Sequence, residues 1–226
     1  MGTTVLVFVL TANLLSGIKA ANTENETPTT QTPIDHILRF NYPFDVFLTP
    51  KFYYSCEEAW EAGFKNRGIY SIALNNVPES NSLEQRWTWI VCNNTEERAS
   101  TVVLYREPGT ENFTRTFDEY VNGFGSAKTD YFLGLENIRN LTKNGHNVLT
   151  ITIQDPWGNV HSIRYEFFMM KGAPDYEFDT NGIGQGDLPD DFYFHRNLPF
   201  RAPGKPDRRE DGLSCAEKLQ VSVLIQ

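Results

Sequence analysis

The sequence predicts an α+β domain in which a sheet carries short helices on its flanks. Three observations support this prediction. Segments rich in β-branched and aromatic residues recur along the chain, three short stretches carry helix signals, and a polar turn at residues 155–159 joins two strand segments as a hairpin. The 226 residues are 40% hydrophobic and 13% aromatic, which is enough to build a hydrophobic core.

The first twenty residues, MGTTVLVFVLTANLLSGIKA, predict a secretory signal peptide. They contain an apolar run from Val5 to Leu10 and a small residue at the cleavage position, Ala20, although Lys and Arg are absent before the run. The alternative is a short buried helix or strand. No other stretch approaches the roughly 18 apolar residues that span a bilayer. We therefore expect residues 1–20 to be removed and the mature protein to be secreted.

Residues 21–54 predict a flexible arm followed by an entry segment. The stretch 21–33 is rich in Thr, Asn and Pro and has no large apolar side chain, so burial cannot offset the entropy of ordering it. Aromatic residues appear between Ile34 and Tyr54, but Pro43 and Pro50 exclude a long helix there. We expect a short amphipathic piece that leads into extended chain.

The next segment, CEEAWEAGF from Cys56, predicts one or two helical turns. Its acidic residues come first, and Trp60 and Phe64 lie four apart. Strand composition then follows at residues 69–74, 86–92 and 101–105.

Two short helices and a hairpin are predicted in the second half of the chain. Thr116 and Glu119 have capping-box spacing, and Gly123 is placed to end that helix. Apolar residues three apart predict another helix over 135–141. The hairpin pairs 148–154 with 161–168.

The chain after Lys171 predicts loop-built structure. It is punctuated by prolines, is rich in Gly and Asp, and shows no convincing period. Only residues 219–225 have the composition of a further strand.

Charge and motif content favour a binding protein over an enzyme. A net charge of −9 argues against nucleic acid, whose phosphates are bound by clustered Lys and Arg. The four His occur singly, and no HExxH, Gly-x-Ser-x-Gly or P-loop motif is present. The acidic pairs Asp190-Asp191 and Glu57-Glu58 are adjacent, so neither can flank a scissile bond across about 5 to 9 Å. We predict no enzymatic activity and no cofactor.

Three cysteines, Cys56, Cys92 and Cys215, form neither a disulfide-dense scaffold nor a zinc site, because no CxxC spacing occurs. Their odd number leaves one thiol free, paired between chains, or without a partner in this chain.

Four sequons agree with a secreted protein, because each fits N-x-[ST]. The alternative for each is an unmodified surface asparagine, and Pro28 lowers the expected use of the first. The acceptor residues are Asn25, Asn93, Asn112 and Asn140.

Several ordered segments between about residues 55 and 215 carry a family resemblance. They include NFTRTFDEYVNGFG at 112–125, YFLGLE at 131–136, RYEFF at 164–168 and GQGD at 184–187. Together with Cys56 and the Gly-Ile-Tyr that follows it, these segments resemble the fibrinogen C-terminal domain, the module shared by fibrinogen chains, ficolins, tachylectin-type lectins and angiopoietins. Phe117 and Phe132 stand where that family has Trp, and Ser100 replaces a third Trp.

The resemblance implies a central twisted antiparallel sheet, a small N-terminal subdomain closed by a Cys56–Cys92 disulfide, and a loop-rich C-terminal ligand-binding region. A disulfide that closes a loop of about 37 residues stabilises by roughly 4 kcal/mol on the chain-entropy estimate. We expect the domain to occupy residues 55–226 and to be incomplete at its C-terminus. Cys215 is then the stranded half of the family's second disulfide, and is unpaired or intermolecular.

The family's calcium loop corresponds to residues 207–212. Calcium favours about six to eight oxygen ligands from clustered carboxylates. Asp207 and Asp211 remain, but Arg209 stands where a ligand is needed. We predict weak or absent calcium binding at Asp207 and Asp211.

Two functions follow from the resemblance. The first is a lectin-like recognition module of innate immunity with an extracellular glycan as its ligand, and the loss of its sugar and calcium sites is left open. The alternative is an extracellular protein–protein interaction or signalling module, or else a non-functional truncated product. No collagen-like or coiled-coil segment precedes the domain in this sequence, so a homo-oligomer would form through the domain itself or through Cys215.

Overall fold

The computed structural model describes residues 5–12, 46–47, 53–73, 87–107, 111–143 and 147–205. The predicted arm, the calcium loop, Cys215, Asn25 and the strand predicted at 219–225 lie outside these residues. Three short α-helices lie within them: α1 (Cys56–Glu61), α2 (Phe117–Asn122) and α3 (Leu135–Thr142).

The strands of the described residues form one sheet. Along its main path the order is β10-β9-β8-β1-β5-β4-β3-β2, while β11 pairs with β9, and β7 pairs with both β5 and β6. The bounds are β1 (Val5–Ala12), β2 (Val46–Phe47), β3 (Gly68–Ala73), β4 (Trp87–Cys92), β5 (Thr101–Arg106), β6 (Phe124–Gly125), β7 (Tyr131–Phe132), β8 (Asn147–Gln154), β9 (Val160–Met170), β10 (Phe178–Asp179) and β11 (Gln185–Gly186).

The predicted α+β class and the predicted hairpin are confirmed. Strands β8 and β9 pair antiparallel around the turn at 155–159, where Asp155 accepts the backbone N–H groups of Trp157 and Asn159. The sheet departs from purely antiparallel pairing where β2 runs parallel to β3. Because β3 and β4 belong to the same sheet as β8 and β9, the disulfide-closed part of the chain continues the central sheet.

The helix predicted from its capping box is α2. The Thr116 hydroxyl accepts the Glu119 backbone N–H, and the Glu119 carboxylate accepts the Thr116 backbone N–H at 2.8 Å. Gly123 follows the helix with a φ of 86°, and a Cβ atom there would lie 2.6 Å from the Leu133 carbonyl oxygen. Glycine is therefore required both for the backbone conformation and for the close approach of the β7 segment.

An aromatic cluster around Tyr120 joins α2 to the sheet and to the C-terminal loops. The Tyr120 ring is fully buried, its centroid lies 5.3 Å from that of Phe132 and 5.2 Å from that of Phe200, and its hydroxyl donates to the Phe113 carbonyl. Phe117 packs against Phe200 at 6.2 Å. The two Phe that replace family Trp residues therefore still fill the core.

Strand β1 coincides with the apolar run of the predicted signal peptide. It pairs antiparallel with β5 on one side and with β8 on the other, and Phe8 is buried. The strand does not test whether residues 1–20 are removed, so the signal peptide remains a prediction. Cleavage after Ala20 would separate β1 from the covalent domain.

Candidate functional site: an apolar surface on the C-terminal loops

The C-terminal region, residues 171–205, folds back on β9 and α2. Short strands β10 and β11 pair with β9, and a 3-10 helix spans Asp191–His195. Farther along, the Phe117 backbone N–H donates to the Pro203 carbonyl, and the Phe200 N–H donates to the Asp175 carbonyl. Backbone contacts at both ends therefore hold these loops to the sheet and to α2.

Asp190 is the centre of the hydrogen bonds that order this region. Its carboxylate accepts the Tyr165 hydroxyl at 2.7 Å, the Gly184 backbone N–H at 2.8 Å and the Tyr193 backbone N–H at 3.1 Å. Burial, and then the hydrogen bond to Asp190, raise the pKa of Tyr165, so its hydroxyl stays a donor. One carboxylate thereby ties β9, the loop at residues 180–184 and the start of the 3-10 helix together.

Arg196 makes a second connection between the same segments. Its guanidinium donates to the Thr180 carbonyl at 2.9 Å and to the Gly182 carbonyl at 3.2 Å, and lies 4.4 Å from the centre of the Tyr193 ring. The loop before Gly184 and the end of the 3-10 helix are thus held by a charged donor as well as by Asp190.

Large apolar side chains on these two segments point into solvent. Ile183 is 73% exposed and Phe194 74%, while Tyr193 and Leu198 are each 48% exposed. The Tyr193 and Phe194 rings meet edge to face at 5.5 Å. We refer to Ile183, Tyr193, Phe194 and Leu198 as the apolar patch. Exposed apolar side chains concentrated in one region mark interaction surfaces more often than scattered ones do.

The Asp187 carboxylate holds the chain to β9 just after the loop at residues 180–184. It accepts the Ser162 backbone N–H at 2.7 Å, and its other oxygen lies 2.7 Å from His161 Nδ1. The Ser162 N–H, followed by the His161 ring, holds the pKa of Asp187 below its ordinary value. Sequence reasoning treated each His as isolated, because His161 and Asp187 are 26 positions apart.

Two concavities in the described part of the chain are small. One, of about 150 Å³, lies beside Trp89, Gly123 and Tyr131, and the other, of about 50 Å³, lies beside Cys56, Ser100 and Asn147. Pockets for small ligands usually measure about 300 to 1,000 Å³. Both concavities are therefore smaller than such pockets.

Cys56 and Cys92 form a disulfide, as the family resemblance implied. Both residues are buried, and the bond joins the first residue of α1 to the last residue of β4 across a separation of 36. Ser100, which replaces a family Trp, is buried nearby at 5% exposure. In the strand order, β8, β1 and β5 separate β4, which carries Cys92, from β9.

Three of the predicted glycosylation sites lie in the described residues. Asn112 is exposed, and its side-chain oxygen accepts the Thr114 backbone N–H at 2.9 Å. Asn93 is half-buried after β4, and Asn140 is half-buried in the last turns of α3. Glycosylation at all three remains a prediction.

The described residues contain no group of three or more His, Cys, Asp or Glu side chains arranged to hold a metal ion. Asp207 and Asp211 lie outside these residues, so weak or absent calcium binding remains a prediction. Among the helices of the described ranges, none has both the length and the apolar character required to cross a membrane.

Sequence reasoning did not find the apolar patch. The segment DFYFHRNL at 191–198 is aromatic, and its composition is equally typical of a core segment. Only the structure shows that Phe192 is half-buried while Phe194 is exposed. The usable signal was the prolines on either side, Pro189 and Pro199, which limit this aromatic segment to a short turn of chain.

The chain is similar in sequence to known proteins. A family model described as fibrinogen beta and gamma chains, C-terminal globular domain, matches residues 52–223. Angiopoietin-related protein 1 of Mus musculus is 32% identical over 162 residues, which are 71% of this chain and 32% of that protein. Angiopoietin-related protein 6 of Homo sapiens is 29% identical over 161 residues, again 71% of this chain and 32% of that protein.

Solved structures have a similar fold. The fibrinogen-like globe domain of human ANGPTL6 superposes with a TM-score of 0.57 at 26% identity, over 69% of this chain and 67% of that one. A lamprey fibrin D-dimer in complex with the peptide Gly-His-Arg-Pro-amide has the same fold, with a TM-score of 0.59 at 24% identity, over 77% of this chain and 57% of that one. The chain spans about a third of the length of the curated relatives that it matches. It belongs to the fibrinogen C-terminal domain family.

Proposed function

We propose that this protein is an extracellular recognition module that binds a protein ligand through the apolar patch. The observation that carries the proposal is the exposure of Phe194, Tyr193 and Ile183 on loops that are held in place by Asp190 and Arg196. Aromatic residues and Arg are enriched among the residues that dominate protein–protein binding energies. Because the loops are already ordered by buried and charge-assisted contacts, little conformational entropy is lost on binding.

An extracellular location is part of the proposal. The Cys56–Cys92 disulfide is typical of proteins that fold in an oxidising compartment, and the sequons at Asn93, Asn112 and Asn140 suit the same route. Relatives that match this chain are angiopoietin-related proteins and angiopoietin-1 by name. These names favour the protein-binding interpretation over the glycan-binding, innate-immunity interpretation of the sequence.

The proposal can be tested with one protein preparation on two arrays. The full chain, secreted from eukaryotic cells, is applied to a panel of cell-surface receptor ectodomains and to a glycan array. We expect saturable binding to at least one ectodomain, and we expect this binding to be lost when Ile183 and Phe194 are both replaced by Asp.

Trp89→Ala is the matched control, because Trp89 is also a large exposed side chain but lies on β4, four positions from β9 in the sheet. This control should bind like the unmodified chain. Calcium-dependent binding to the glycan array that N-acetylated sugars inhibit, without binding to any ectodomain, would establish the lectin interpretation instead.

A further inference from the structure

The sequence contains three Asn-Gly pairs, and the structure describes two of them. These two are Asn122-Gly123 at the end of α2 and Asn181-Gly182 in the loop at residues 180–184, while Asn144-Gly145 lies outside the described residues. Asparagine before glycine is prone to deamidation, because the next backbone nitrogen can attack the side-chain amide and glycine has no Cβ to hinder the approach. In a folded protein the reaction depends on the freedom of both groups.

The fold restrains Asn122-Gly123. The Asn122 side-chain amide donates to the Asp118 carbonyl at 2.8 Å, and the Gly123 backbone N–H donates to the Glu119 carbonyl, also at 2.8 Å. A Cβ atom on Gly123 would lie 2.6 Å from the Leu133 carbonyl oxygen, so the backbone is closely packed here. Both groups that would have to react are therefore held by hydrogen bonds to α2.

Asn181-Gly182 lacks these restraints. Asn181 is exposed, and among the described residues no group forms a hydrogen bond with its side-chain amide or with the Gly182 backbone N–H. A Cβ atom on Gly182 would have no neighbour within 4 Å. The side chain and the backbone nitrogen are thus free to approach each other.

A positive charge lies beside the same pair. The Arg196 guanidinium donates to the Thr180 carbonyl at 2.9 Å and to the Gly182 carbonyl at 3.2 Å, which are the carbonyl groups on either side of Asn181. The attacking form of the Gly182 nitrogen is an amide anion, and a nearby cation favours an anion over its neutral form. The structure therefore places a favourable charge where the reaction would begin.

We propose that Asn181 is a site of spontaneous deamidation in the folded protein and that α2 protects Asn122 from the same reaction. The Gly182 nitrogen loses its proton to hydroxide and attacks Asn181 Cγ. The new N–C bond closes a succinimide ring, while the Cγ–Nδ2 bond breaks and Nδ2 leaves as ammonia after taking a proton from water. Water then adds to one of the two ring carbonyl carbons, and the ring bond from that carbon to nitrogen breaks. Opening at Cγ gives aspartate, and opening at the backbone carbon gives isoaspartate.

Both products alter the loop that carries Ile183. Isoaspartate adds one carbon to the main chain between Thr180 and Gly184, whose backbone groups are held by Arg196 and Asp190. A longer chain between fixed ends has to bulge. Either product also brings a carboxylate close to Arg196, where this charged acceptor competes with the backbone carbonyls for the guanidinium. We expect Ile183 to move with the loop, so that the apolar patch changes as the protein ages.

The test compares two Asn-Gly pairs within one molecule. The secreted full chain is kept at physiological temperature and pH in water enriched in heavy oxygen, and peptide mapping by mass spectrometry follows aspartate and isoaspartate at each position over several weeks. Incorporated heavy oxygen separates deamidation during incubation from deamidation during digestion. A hydrogen bond that must break before attack slows a reaction by about tenfold. We therefore expect Asn181 to react faster than Asn122 by about tenfold or more.

The same chain unfolded in denaturant is the matched control. Both pairs then have equal freedom and should react at similar rates, which shows that the difference comes from the fold. Equal rates in the folded protein, or a faster reaction at Asn122, would overturn the assignment. The reaction does not depend on any ligand of the apolar patch, so this proposal and the proposed function can fail separately.

Hydrogen exchange measures the effect on the loop. Peptides that cover residues 181–190 should exchange faster in protein that contains isoaspartate than in fresh protein. Asn181→Ser, incubated for the same time, should match its own fresh sample, because serine has no amide to lose. Unchanged exchange in the isoaspartate form would overturn the proposed effect on Ile183.

Discussion

The Tyr165 hydroxyl donates a 2.7 Å hydrogen bond to Asp190, and this contact joins β9 to the loops that carry the apolar patch. The same carboxylate receives the backbone N–H groups of Gly184 and Tyr193, which immediately follow Ile183 and precede Phe194. Two residues 25 positions apart therefore fix the surface that we propose to bind protein.

Tyr165→Phe should lower the free energy of unfolding by about 1 to 2 kcal/mol, because it removes a hydrogen bond to a charged acceptor and leaves the ring in place. Urea unfolding followed by circular dichroism measures this change. Tyr54→Phe, at an exposed tyrosine, should stay within about 0.5 kcal/mol of the unmodified chain. Equal effects at both positions would show that the Tyr165–Asp190 contact contributes little.

Removing the disulfide with Cys56→Ala and Cys92→Ala should cost about 4 kcal/mol of unfolding free energy, since the bond closes a long loop between α1 and β4. The measurement is chemical unfolding of the double variant under oxidising conditions.

A thiol titration of the unmodified, denatured monomer tests the state of Cys215. One thiol per chain is expected from Cys215, and a dimer that dissociates on reduction would instead indicate an intermolecular bond there.

The capping box of α2 predicts an acid-sensitive contribution to stability. The Thr116 backbone N–H, followed by the Thr116 hydroxyl, holds the pKa of Glu119 below its ordinary value of 4.5. A lowered pKa in the folded state means that the stabilisation is present above pH 4.5 and is lost as the pH falls through the folded-state value. The melting temperature of Glu119→Gln should therefore fall less than that of the unmodified chain between pH 6 and pH 3.

Glu97→Gln, in the exposed turn before β5, is the control for that comparison. Its melting temperature should follow the unmodified chain across the whole pH range. If Glu119→Gln does the same, the capping carboxylate makes no pH-dependent contribution.

The sequons should differ in occupancy. Asn112 is exposed and free of helix structure, whereas Asn140 lies within α3 and Asn93 is half-buried beside Cys92. We expect Asn112 to be the most completely modified of the three, and we expect Thr114→Ala to remove that glycan. Intact mass before and after enzymatic deglycosylation of the secreted protein measures occupancy at each site, and a higher occupancy at Asn140 than at Asn112 would contradict this order.

Local signals in the sequence predicted those elements whose causes are local. The capping box at Thr116 and Glu119 and the turn at 155–159 act over a few residues, and both are found where they were predicted. The Cys56–Cys92 pairing followed from the family resemblance, because three cysteines alone left the partner open.

Features that depend on distant contacts were not predictable in this way. The apolar run from Val5 to Leu10 predicts a leader, and its pairing with β5 and β8 as β1 depends on residues more than 80 positions away, so no local signal predicts it. The segment that carries Phe194 is likewise held by Asp190 and Arg196, whose partners Tyr165 and Thr180 lie 25 and 16 positions away. Short strands such as β10 and β11 have no periodicity of their own and are set by their pairing with β9.

Binding of protein by the apolar patch is tested by the ratio of dissociation constants of a variant and the unmodified chain for one ectodomain identified on the panel. Phe194→Ala should weaken binding by about 30-fold or more, equivalent to about 2 kcal/mol, as expected of a dominant interface residue. Trp89→Ala should leave the dissociation constant within about twofold, a difference below about 0.5 kcal/mol. Equal dissociation constants for Phe194→Ala and the unmodified chain would instead place the binding surface elsewhere on the domain.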